Sequence, residues 1–130
     1  MGLFKQVVNL ELSKRLKELG VKQESLFKWS YYEKRDEMTD SYFWIVKHLS
    51  RTIGDNEYSA FTASELLEML PNEINNSEYI YVIQKYPNEY EIRAWHKFDT
   101  MILKITFDKS LCNALAKILI HLIEQKLIEV

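Results

Sequence analysis

Leu12, Leu16 and Leu19 recur on one face at helical spacing within residues 10–19, with Asn9 placed to cap the start and Gly20 to end it. Val21 follows, the kind of apolar residue that folds back over the last turn of a glycine-capped helix. Over residues 26–32 the period drops to two. Phe27, Trp29 and Tyr31 share one face and Lys28, Ser30 and Tyr32 the other, which predicts a half-buried strand. Residues 33–37 are all charged, have nothing apolar to bury and read as a solvated hairpin loop or a distorted strand end. Residues 42–49 read as a second strand pairing back, although the unbroken run Phe43-Trp44-Ile45-Val46 also fits a buried helical turn.

Thr62-Ala63-Ser64-Glu65 is a capping box, and it opens a short helix that carries Leu66, Leu67 and Leu70 and stops before Pro71. Three strand-like runs follow at 78–86, 89–97 and 101–107. Pro87-Asn88 and Asp99-Thr100 separate them, spacings that predict tight antiparallel hairpins and so a meander. Tyr79, Tyr81 and Ile83, then Tyr90, Ile92 and Ala94, then Met101, Leu103, Ile105 and Phe107 are expected on its apolar side. Residues 109–126 form the closing helix, whose stripe of Leu111, Leu115, Ile118, Leu119, Leu122 and Ile123 would cover that side. The expectation is a single α+β domain over 1–130, an antiparallel β-meander packed against a C-terminal helix, in the order α-β-β-α-β-β-β-α.

Composition narrows the function classes. At 47% hydrophobic and 28% charged the chain is that of an ordinary globular protein, and its 130 residues suffice for a core without staples. A net charge of −2 supplies no long-range attraction for nucleic acid or an anionic membrane. The lone Cys112 forms no intrachain disulfide and sits in an apolar helical pattern, as a small buried hydrophobe would. The N-terminus has no secretory-signal pattern, and Gly2 lacks the serine or threonine that a myristoylation motif needs. No run approaches a membrane span, so a cytoplasmic setting is expected.

Chemistry-bearing patterns are sparse. His48, His96, His121 and Cys112 lack the paired spacing of a zinc shell, so no metal is expected. With glycine only at Gly2, Gly20 and Gly54, neither a nucleophile elbow nor a phosphate-cradling loop is available. The acidic pairs Glu65 with Glu68, Glu89 with Glu91 and Asp36 with Asp40 read as surface, and Glu65 already has a capping role. No enzymatic activity and no cofactor are expected.

Binding is the remaining class. Three tryptophans, eight tyrosines and six phenylalanines give 13% aromatic residues, which are either buried within the monomer under the first helix and the short helix at 66–70 or presented to a partner. Trp44, Arg93, Trp95 and Lys104 are the candidate interaction surface. If Glu91, Arg93 and Trp95 share an outward face with Ile102, Lys104 and Thr106, an Arg-Trp-Lys platform results. Such a platform would serve a protein partner or a second copy through its rings, or weakly stack single-stranded nucleic acid; Glu78, Glu89 and Glu91 dilute its charge.

The stretches Phe61-Thr62-Ala63-Ser64-Glu65-Leu66-Leu67-Glu68-Met69-Leu70-Pro71 and Ser110-Leu111-Cys112-Asn113-Ala114-Leu115-Ala116-Lys117, with Phe27 and Trp29 on a strand and the closing Leu119 to Ile123 helix, resemble short proteins of unknown function encoded by phages, prophages and other mobile elements of bacteria. The resemblance spans residues 10–128. It implies a bacterial, cytoplasmic, mobile-element setting and carries over no functional residue.

Overall fold

The computed structural model describes residues 3–35, 40–48, 53–98 and 101–130. After a 3-10 turn at Leu3–Gln6, the chain forms α1 (Leu10–Glu18), β1 (Phe27–Arg35), β2 (Asp40–His48), β3 (Tyr58–Ala60), α2 (Ala63–Met69), β4 (Glu73–Ile74), β5 (Ser77–Lys85), β6 (Tyr90–His96), β7 (Ile102–Asp108) and α3 (Leu111–Glu124). The fold is α+β with antiparallel sheets in the expected order of major elements, and of the run at 42–49 residues 42–48 are strand, residue 49 lying outside the described residues. Two short strands, β3 and β4, are additions. One sheet runs β2-β1-β3 and the other β4-β5-β6-β7.

The local signals act as their chemistry requires. Asn9 Oδ1 accepts from Leu12 N at 2.9 Å, and at the other end Val21 N donates to Leu16 O while Gly20 N donates to Lys17 O, both at 3.0 Å. This double bond closes α1 because Gly20 takes φ +92°. Thr62 and Glu65 form the full capping box on α2. β4 turns into β5 through Asn75 and Asn76, both at positive φ, the conformation of a two-residue hairpin turn that asparagine tolerates. Of the charged run at 33–37, residues 33–35 complete β1, whereas 36–37 and the turn at Asp99-Thr100 lie outside the described residues.

α3 occupies the centre. Ala114, Leu115, Ala116, Ile118 and Leu122 are all 0% exposed, packed in one cluster with Ile92 and Ala94 of β6, Leu16 of α1, Leu66 of α2 and Phe61. The expected apolar stripe is therefore wider than one face: Cys112 and Ile120 are buried as well, because α1, α2 and the meander enclose the helix from several sides. Cys112 is the small buried hydrophobe the pattern suggested, its Sγ donating to Gln6 O at 3.2 Å. Burial pushes its thiol up from the ordinary value.

β1 departs from simple alternation. Lys28 and Ser30, expected toward solvent, are buried. Lys28 Nζ donates to Glu57 at 2.9 Å and Ser30 Oγ to the same carboxylate at 2.8 Å. Gly54 N donates to it at 3.0 Å, and Lys17 Nζ donates to the carbonyls of Gly54, Asp55 and Glu57 at 2.8–3.0 Å. These contacts fasten the 54–57 loop over the strand. Three donors hold the Glu57 carboxyl at about 2, Lys28 being the largest cause.

Candidate functional site

Register separates the two faces of the four-stranded sheet. Directly opposed residues share a face, so Ile92 with Thr106 and Ala94 with Lys104 look toward α3, where Ile92 and Ala94 are fully buried. Thr106 Oγ donates to Ala114 O of α3 at 2.8 Å, fixing which way β7 faces. The other face carries Ile80 opposite Trp95, Val82 opposite Arg93, Arg93 opposite Ile105, Glu91 opposite Phe107 and Trp95 opposite Ile102. No described helix or strand forms a layer over it. Ile80 keeps 47%, Ile102 42% and Phe107 46% of their surface exposed.

Two expectations change here. Ile105 and Phe107 lie on the open face rather than beneath the helix, and Lys104 and Thr106 lie on the helix side rather than outward. The physical cause is twofold. A register shift between Ala94 and Trp95 inserts Leu103 without a partner, so Ile102 pairs with Trp95 while Lys104 pairs with Ala94. The threonine hydroxyl also finds its acceptor, Ala114 O, on the side of α3. The platform of Arg93, Trp95 and Lys104 is thus divided: Arg93 and Trp95 share the open face and Lys104 does not. The side chain of Trp44 lies outside the described residues; its backbone pairs with that of Tyr31.

The polar groups of the open face are paired with one another. Glu91 is only 4% exposed, accepts from Tyr86 Oη at 2.8 Å and from Arg93 Nε, and so draws the acid of that strand into a closed cluster. The Arg93 guanidinium holds the Glu91 carboxyl below the usual carboxylate range, and the Glu91 bond pushes the Tyr86 phenol up. Lys97 is likewise engaged, with Glu78 at 2.7 Å. What remains is an aliphatic and aromatic surface with two compensated ion pairs in it, Glu91 with Arg93 and Glu78 with Lys97. That surface suits another apolar face far better than a phosphate backbone, which needs free cations in a stripe.

Among the described residues no three of His, Cys, Asp and Glu come together as a metal shell. His96 meets the Tyr79 ring edge-on at 5.3 Å, and the side chain of His48 lies outside the described residues. Tyr81, beneath the sheet, donates to Pro71 O at 2.6 Å, and burial pushes its phenol to about 12. Two hollows exist. The larger, about 690 Å³, lies at the start of α3, where Asn113 accepts from Asn9 N at 2.8 Å and Ser110 caps Asn113 N. Asn9, Ser110 and Asn113 are committed to the fold there, Asp108 is paired with Lys117, and Cys112 at its margin donates its thiol hydrogen to Gln6 O. The smaller hollow flanks β7. Among the described residues, no helix is long and apolar enough to cross a membrane.

No protein-family model, curated protein or solved structure matches the chain.

Proposed function

We propose that the protein is a small non-enzymatic interaction domain, of phage or prophage origin and working in a bacterial cytoplasm, that binds a protein partner or its own copy. The surface that does so is the open face of the four-stranded sheet, with Ile80, Trp95, Ile102 and Phe107 as its apolar anchors and the Glu91–Arg93–Tyr86 cluster as its polar landmark. One observation carries this reading: a sheet face built from large apolar side chains, several more than 40% exposed, with its charges neutralised internally. Isoleucine and phenylalanine in such a cluster favour an apolar counterpart, and a paired arginine among them sets orientation. The alternative, weak single-stranded nucleic-acid binding, has less support, because Arg93 is neutralised by Glu91 and Lys104 belongs to the other face.

Self-association is the form of this function that the isolated protein can display. Sedimentation velocity over a hundredfold concentration range tests it. The expected result is a reversible, concentration-dependent dimer that Phe107→Lys abolishes. A protein that stays monomeric throughout, and whose open-face amides show no added protection on mixing with candidate partners, removes the proposal.

A further inference from the structure

The smaller hollow opens along β7 and takes Ile105 and Phe107 of the open face into its lining beside helix-side residues, but Lys104 and His121, on which a ligand there would depend, take no part in the interaction reading. Among the described residues β7 ends its sheet, with no strand paired along one flank. Beside that flank runs a groove of about 430 Å³, within the size range of small-molecule sites, lined among others by Leu12 of α1, Lys104 of β7, and Lys117, Ile120, His121 and Glu124 of α3.

α3 is otherwise a buried apolar helix, yet Asn113, Lys117, His121 and Glu124 recur at steps of four, four and three and so make one polar stripe. The last three of them line the groove. Most of the charge there is already matched: Lys117 Nζ bonds Asp108 at 2.8 Å and Phe107 O at 3.0 Å, and Glu124 faces Arg15 at 3.6 Å. Lys104 is the exception. It is only partly exposed and has neither hydrogen bond nor ion pair among the described residues. A partly buried ammonium without a counter-ion beside a half-buried imidazole, above an apolar floor, is the complement of a monoanion on an apolar stem.

We propose that this groove binds a small amphipathic carboxylate, with Lys104 and His121 holding the carboxylate and Leu12 and Ile120 contacting its apolar chain. A carboxylate gives Lys104 the charge-assisted bond that the fold does not supply. The charged groups facing His121 are Lys104 from β7 and Lys117 and Glu124 from its own helix, with Arg15 of α1 reaching Glu124. Burial first and Lys104 second hold the free imidazole below its ordinary range. A bound anion between the two reverses the second effect, so occupancy raises the titration of His121 and binding tightens as the pH falls from 8 to 6.

The probe is sodium octanoate, titrated calorimetrically into the full chain at pH 6 and pH 8, with octan-1-ol as the uncharged match. Expected are saturable one-to-one binding, tighter at pH 6, and an affinity about tenfold or more lower for Lys104→Met, which keeps the apolar stem. Histidine NMR on the unmodified protein should show the His121 titration moving upward with octanoate and staying in place with octan-1-ol, a readout that needs no variant. Absence of saturable octanoate binding, equal binding of octan-1-ol, unchanged affinity in a folded Lys104→Met, or a His121 resonance indifferent to octanoate each overturns the proposal.

Discussion

Glu57 is the residue whose removal should cost the fold most per atom changed. Its carboxylate accepts from Lys28, Ser30 and Gly54 N, and the Lys28 side chain is only 6% exposed with Glu57 as its counter-ion. Glu57→Ala therefore strands a buried ammonium, a change of about 3–5 kcal/mol. Lys28→Met is milder, about 1–2 kcal/mol, because the 23% exposed carboxylate keeps water, Ser30 and Gly54 as partners. The same site sets an acid limb. A carboxyl lowered on folding from 4.5 to about 2 contributes stability that is complete above 4.5 and is lost as the pH falls toward 2. Its full worth is about 3 kcal/mol, trimmed to about 2 by the solvent it still meets. Urea unfolding followed by tryptophan fluorescence at pH 7, 5, 3.5 and 2.5 reads both effects. Wild type should lose about 2 kcal/mol more than Glu57→Gln between pH 5 and pH 2.5. Parallel acid limbs, or equal losses for Glu57→Ala and Lys28→Met at pH 7, would refute the reasoning.

Other outcomes follow from single positions. Lys126 sits at φ +56° just past α3, where its N–H donates to Ile123 O and Leu127 N to Leu122 O, the same double closure that Gly20 makes for α1. Lys126→Gly should stabilise the fold by about 0.5–1 kcal/mol, measured as a raised thermal midpoint, whereas Gly20→Ala should destabilise it by at least about 1 kcal/mol. Cys112 is buried, bonded to Gln6 O and raised in pKa, so a thiol reagent at pH 8 should react with the native protein at least about a hundredfold more slowly than with the urea-unfolded chain.

Much of this fold is legible in the sequence because its punctuation is local. Asn9, Gly20, Val21, Thr62 with Glu65, and Pro71 each act within five residues of themselves, and spacing alone locates them. What spacing does not reveal depends on partners far along the chain. Lys28 and Ser30 alternate like solvent-facing residues, yet Glu57 arrives from 27 and 29 residues away and buries them. β7 is apolar in both phases, with Ile102 on one and Leu103, Ile105 and Phe107 on the other, so period two does not choose its inner face. The bulge opposite Trp95 and the bond from Thr106 to Ala114 make that choice. Arg93 and Trp95 are therefore visible as neighbours on one strand face, while Lys104, on the next strand, points the opposite way from what alternation predicts. The unexpected β4 has a signal in Asn75-Asn76, a pair suited to consecutive positive φ; the three-residue β3 has none.

The interaction reading requires that the outer face of the four-stranded sheet contribute little to the stability of the single chain. The most direct test is urea unfolding of Phe107→Lys and Ile102→Lys, at a protein concentration low enough that wild type is monomeric. Each should lie within about 0.5 kcal/mol of wild type, as for surface substitutions. A loss of about 2 kcal/mol or more in either variant would mean that the face is covered within one chain, and the proposed partner surface would be core instead.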